Sequence, residues 1–125
     1  MLEATLERVC DLAGASLDEI ECWLGPCIGP THFEVGAEVV EAFLGAESGA
    51  HSDFHQPSAQ GAGRSMLDLA ALGRARLRQA GVRHLQGNDS TLMWCTRNDP
   101  CRYFSYRHSP VTGRMAALIW VGPAS

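Results

Sequence analysis

Leu2, Leu6, Val9, Leu12 and Ala13 recur at helical spacing with Glu3, Glu7, Arg8 and Asp11 between them, so residues 1–13 read as an amphipathic helix ending at Gly14. Ser16 followed by Glu19 fits a capping box, but Ile20 and Trp23 come at once. That order predicts a brief helical turn leading into a strand over 20–24. Gly25-Pro26-Cys27-Ile28-Gly29-Pro30 continues neither element, because its prolines remove donors and its glycines permit unusual backbone angles. It reads as a shaped loop. Val35, Val39, Val40 and Phe43 then share one face of a second helix over 35–44.

Between 45 and 65 the chain turns to Gly, Ala, Ser and Gln with Phe54 as its one large apolar residue, and a mobile loop is expected there. Leu67, Leu69, Ala70, Leu72 and Leu77 predict a third helix over 66–80, with Gly81 where a C-cap glycine belongs. Short strands are expected at 82–85, 91–96 and 116–121, with a turn at Asn98-Asp99-Pro100. The alternation is too irregular for repeated βαβ units. The fold class is therefore α+β, a layered sheet-and-helix domain.

Composition narrows the function more than the fold. The 125 residues suffice for one hydrophobic core, and 46% hydrophobic against 19% charged residues is a globular balance. A net charge of −4 gives no basic field for a phosphate backbone, which argues against nucleic acid as a partner. All ten basic residues are arginine, so Schiff-base and P-loop chemistry, which need a lysine amine, are excluded. No apolar run approaches the roughly 18 residues of a membrane span and no signal-peptide order opens the chain, so a cytoplasmic protein is expected. Five cysteines without regular spacing point to reduced thiols rather than a disulfide framework.

Two stretches go beyond generic patterning. Trp23-Leu24-Gly25-Pro26-Cys27-Ile28-Gly29-Pro30, followed by Phe33-Glu34-Val35-Gly36 and Glu38-Val39, is similar to the G-P-x-I-G-P and [YF]-E-V-G-x-E-V signature of the laccase-domain (YfiH-like) purine nucleoside phosphorylases. Cys95-Thr96, Tyr103-Phe104-Ser105-Tyr106-Arg107 and Thr112-Gly113-Arg114-Met115 resemble the same family's closing C-T, F-F-S-Y-R-R and T-G-R-M motifs. The match breaks at His108 and Ser109, where the family has a second arginine and an aspartate. The resemblance covers nearly the whole chain, and it implies that residues 1–125 are the C-terminal half of a single YfiH-like unit.

What the resemblance implies is an enzyme that phosphorolyses adenosine, inosine and methylthioadenosine, with adenosine deamination as a further activity and zinc or copper as the metal. The family's metal ligands are a His in Q-V-H, a Cys in A-D-C and a His in H-A-G-W-R-G, and this sequence contains none of the three stretches. No metal is therefore expected to be held by this chain alone. The partners expected are a purine nucleoside and phosphate, with either a second copy or a missing N-terminal half. The competing expectation is a non-catalytic fragment that folds or oligomerises with such a half.

The residue chemistry supplies three sets of candidates. Cys27 and His32 lie on the shaped loop, where a thiolate beside an imidazole would make a nucleophile and base, although a structural thiol is the weightier reading. Cys95, Cys101 and His108 are spaced too loosely for a zinc site, and His51 with His55 lies between Gly49 and Pro57 in a loop. Arg107, Arg114 and Tyr106 are the expected substrate contacts, because a guanidinium is the natural partner of a phosphate and Arg107 sits inside the most specific motif.

Overall fold

The structure, a computed structural model, describes residues 1–45 and 53–119. Helix α1 (Leu2–Ala13) ends as its sequence requires, with Gly14 in the left-handed region at φ 62° and its N–H bonded to the Cys10 carbonyl. A 3₁₀ turn at Leu17–Glu19 follows, where Glu19 Oε2 accepts from the Ser16 amide at 2.9 Å and from the Ser16 hydroxyl at 2.7 Å. The chain then enters β1 (Glu21–Leu24).

Two small sheets organise the rest. Strand β2 (Glu34–Gly36) leads directly into α2 (Ala37–Leu44), so the expected helix over 35–44 begins two residues later than its periodicity suggested. Within the expected loop of 45–65, the structure places β3 (His55–Pro57) and the start of β4 (Arg64–Leu67), which pair in an antiparallel sheet of order β2-β4-β3. Short strands with one exposed face need few apolar residues, which is why a polar composition concealed them. Helix α3 (Leu69–Gln79) is preceded by Asp68, whose carboxylate accepts from the Ala71 amide at 2.9 Å. That N-cap divides the expected helix of 66–80 into a strand and a helix.

After Gly81, β5 (His84–Gly87) pairs in parallel with β1, two residues beyond the expected strand of 82–85. Residues 91–96 are not a strand but a 3₁₀ turn at Leu92–Trp94, followed by a single bridge between Cys95 and Cys27. Residues 116–119 are exposed and carry no strand, and the remainder of the expected strand of 116–121 lies outside the described residues.

Helix α3 is shared by two cores. Its Leu72 packs with Val35, Val40 and Leu67, flanked by Phe33, Val39 and Phe54. Leu77, one and a half turns on, packs with Leu6 and Val82 beneath Ile20, Cys22, Leu24 and Leu85. The helix thus ties the antiparallel sheet to the parallel pair. No helix among the described residues is long and apolar enough to cross a membrane.

Candidate functional site

The Cys27 to Glu34 loop is held by the segment around Cys95. The Cys27 amide donates to the Trp94 carbonyl at 3.2 Å, and the Thr96 amide donates to the Cys27 carbonyl at 2.9 Å. Gly29 lies against Cys95 so closely that a Cβ on it would stand 3.0 Å from the Cys95 Cβ. The absent side chain is what admits the sulfur. Buried Cys95 then accepts from the Gly29 amide at 3.2 Å and sits 3.4 Å from His32 Nδ1.

That arrangement does not join Cys27 to His32. The Cys27 sulfur turns instead to Asn88, whose Nδ2 donates to it at 3.4 Å, and burial raises its pKa above the usual thiol range. A half-buried thiol so held is a poor thiolate. His32 has a pKa below the ordinary imidazole value, first from burial and then from the positive charge of Arg97, so its ring is neutral at pH 7.

His32 lines an open cleft of about 770 Å³. It is lined by the loop from Pro30, by β3 and the turn beyond it, and by Asp68, Arg97 and Arg107. Arg107 is oriented twice over, its Nη1 donating to the Glu34 carbonyl at 3.1 Å while its guanidinium lies 5.4 Å from the centre of the Phe33 ring. Arg97 donates from Nε to the Arg107 carbonyl at 3.1 Å, which ties together the two arginines that line the cleft. The nearest carboxylates are occupied elsewhere. Glu34 accepts from Ser58 and pairs with Arg64 at 2.8 Å, and both hydrogen bonds hold its pKa below the usual range. Asp68 accepts from Ala71 and, at 2.7 Å, from the Ser90 hydroxyl. Among the described residues neither Arg97 nor Arg107 forms an ion pair.

Of the expected substrate contacts, then, only Arg107 faces the cleft. Tyr106 is exposed and lines none of the clefts described, and Arg114 is exposed with its Nη1 on the neighbouring Gly113 carbonyl at 3.2 Å. Cys101 and His108 are exposed and Cys95 is buried, so the three do not form a common site, and His51 lies outside the described residues. Arg97, Asp68 and Gln56 were not singled out by sequence. Each comes from a different segment, and only the fold of β3, β4 and the Cys95 turn brings them to one cleft.

A sequence profile described as multi-copper polyphenol oxidoreductase laccase matches residues 1–122. The chain belongs to this laccase family. It is 46% identical over 116 residues to the purine nucleoside phosphorylase of Pseudomonas aeruginosa, covering 93% of this chain and 46% of that protein. To the purine nucleoside phosphorylase YfiH of Escherichia coli it is 38% identical over 116 residues, covering 93% of this chain and 44% of the relative. A Neisseria meningitidis protein of known structure, of a domain family described only as DUF152, superposes with a TM-score of 0.72 at 30% identity, over 90% of this chain and 44% of its own. This laccase-family chain thus spans about half the length of the relatives it matches.

Copper stands in the family's description, and the donors present here can be tested against it. Among the described residues no three His, Cys, Asp or Glu side chains gather as a metal would require, and the one close sulfur and nitrogen pair, Cys95 with His32, is two donors short of a tetrahedral site. These residues do not by themselves fit a resident metal.

Proposed function

We propose that this chain forms one wall of the active cleft of a purine nucleoside phosphorylase, with Arg107 and Arg97 binding phosphate. The observation that carries the reading is that Arg97 and Arg107, linked by a hydrogen bond, both line the cleft and, among the described residues, form no ion pair. The relatives named as purine nucleoside phosphorylases supply the reaction. In that reaction a phosphate oxygen forms a bond to C1′ of the ribose, the glycosidic C–N bond breaks, and the purine leaves with a proton.

Phosphate has a counterpart in the cleft. Phosphate is a multiply charged acceptor, and a guanidinium held by a carbonyl and an aromatic face keeps its other N–H groups aimed at one place. Fixing the anion in advance converts a bimolecular encounter into a positioned attack. A zinc or copper ion, as the family resemblance implies, would be held by residues this chain does not contain. The same reading makes adenosine, inosine and methylthioadenosine the substrates, includes deamination of adenosine, and places the reaction in the cytoplasm.

Titration of the chain with inorganic phosphate and with inosine, followed by ¹⁵N NMR, tests the assignment. Saturable shifts at Arg97, Arg107 and the cleft-lining amides, with Arg114 unmoved, are expected. Equal drift of all three arginines, or no saturation, would contradict it.

A further inference from the structure

Cys95 and His32 lie 63 positions apart in sequence, and neither has a role in the reading above. The hydrogen bonds around the sulfur have a direction. The Gly29 amide can only donate, so at 3.2 Å it occupies the sulfur as an acceptor. The thiol proton is then free to point elsewhere, and the acceptor within reach is His32 Nδ1 at 3.4 Å. The Thr31 hydroxyl, 3.1 Å from the same nitrogen, is also a donor when it faces a ring nitrogen bearing a lone pair. Thr31 is exposed and its hydroxyl can turn to water, whereas Cys95 is 1% exposed. The buried thiol is the steadier of the two.

A ring nitrogen that accepts leaves the proton on the other nitrogen. We infer that Cys95 is a positioning residue for His32: its S–H donates to Nδ1, fixes the proton on Nε2, and makes His32 an N–H donor toward an oxyanion in the cleft. Two further observations agree. His32 lines the cleft while its Nδ1 edge faces Thr31 and Cys95, so Nε2 occupies the opposite edge. Burial and Arg97 keep the ring neutral, which is the state in which one nitrogen donates while the other accepts. Gly29 belongs to the device as well, because a Cβ there would displace the sulfur.

The tautomer stands independently of the activity, whereas the ligand, inorganic phosphate or a phosphate ester, rests on the phosphorylase reading. ¹⁵N NMR of the histidine rings in the intact chain, at about pH 8 where an unperturbed imidazole is neutral, reads the tautomer directly. The expected wild-type spectrum has Nδ1 unprotonated and Nε2 protonated. Cys95→Ala should move Nδ1 toward the exchanging mixture of a free neutral imidazole, and Cys95→Ser, which keeps a donor of similar size, should restore it. Phosphate should perturb the Nε2 proton, and its affinity should fall roughly three- to tenfold in Cys95→Ala, the worth of about one net hydrogen bond.

Should Cys95→Ala fail to fold, the wild-type tautomer and the S–H infrared band decide. A band shifted to the hydrogen-bonded position and abolished in Cys95→Ser supports the contact, and one at the free position refutes it. A proton on Nδ1, or an unchanged spectrum in folded Cys95→Ala, overturns the inference without touching the phosphate shifts expected at Arg107. If Arg107 responds to phosphate and His32 does not, the donor role is wrong while the phosphorylase reading stands.

Discussion

Arg107 was legible because it sits inside a dense motif, but the reason for its geometry was not. Its orientation comes from the Glu34 carbonyl and the Phe33 ring, 73 and 74 positions upstream, and no local pattern encodes that contact. Lysine at this position would keep the charge and lose the planar fork that donates to two phosphate oxygens. With the rest of the enzyme supplied by a relative, Arg107→Lys should on the proposed reading lower the rate of inosine phosphorolysis about 10²-fold, as loss of one preorganised donor does, with the melting temperature shifted by only a few degrees. A collapsed melting temperature with undiminished activity per folded molecule would make Arg107 structural. Gly87 is a backbone case. It holds φ at +85°, and a Cβ there would run into the Leu24 carbonyl oxygen. Gly87→Ala should cost about 2 kcal/mol or more by urea denaturation, combining left-handed strain with a backbone clash. A change within a few tenths would mean that the strand shifts freely.

His32 and Glu34 contribute to the pH response with one sign. His32 titrates below the ordinary imidazole value when folded, so the unfolded chain binds its proton first and acidification through that range disfavours folding. Glu34 titrates below the ordinary carboxylate value, so its stabilisation is present above the unfolded pKa and is lost as pH falls through the folded one. Both act in one direction. Urea midpoints should decline from pH 7 toward pH 4, and Glu34→Gln should flatten the lower part of that slope. A midpoint that rises on acidification would contradict both assignments.

Among the elements, α1 and the turn into β1 were readable because each is announced locally, by Gly14 and by the Ser16 and Glu19 pair. The boundary between β4 and α3 was hidden by continuity. Leu67 and Leu69 to Leu72 sustain an apolar pattern across it, and the decisive residue is Asp68, whose carboxylate caps the helix and holds Ser90. Asp68→Ala should cost about 1 to 2 kcal/mol, more than Ser90→Ala, since the cap is lost along with the anchor. Equal costs would show that the cap contributes nothing. Residues 91–96 misled for a different reason. Thr91, Trp94 and Thr96 are strand-forming residue types, but the segment makes only the isolated Cys95 bridge to Cys27, and a 3₁₀ turn satisfies the backbone instead.

At the scale of the molecule, membership of the laccase family was visible in motif order and the α+β class in the irregular alternation of elements, while the cleft was not. Its lining is assembled from positions 30–32, 34, 53–56, 58–60, 66, 68, 97 and 107, and the part between 53 and 60 carried little signal beyond polar composition. Large apolar side chains also stand in water. Met93 is 61% exposed, Phe104 56%, Leu118 82% and Ile119 81%, which is more than scattered surface residues explain. The chain on its own should bind a hydrophobic dye and self-associate by light scattering, and a dye-silent monomer would show that these side chains find cover within the chain. The most direct measurement joins this chain to the portion of the Pseudomonas aeruginosa relative that lies outside the matched region and follows inosine turnover. Release of hypoxanthine that depends on phosphate, with ribose 1-phosphate formed in equal amount, is the predicted result. A folded complex that releases no hypoxanthine, or releases it without phosphate, would contradict the assignment.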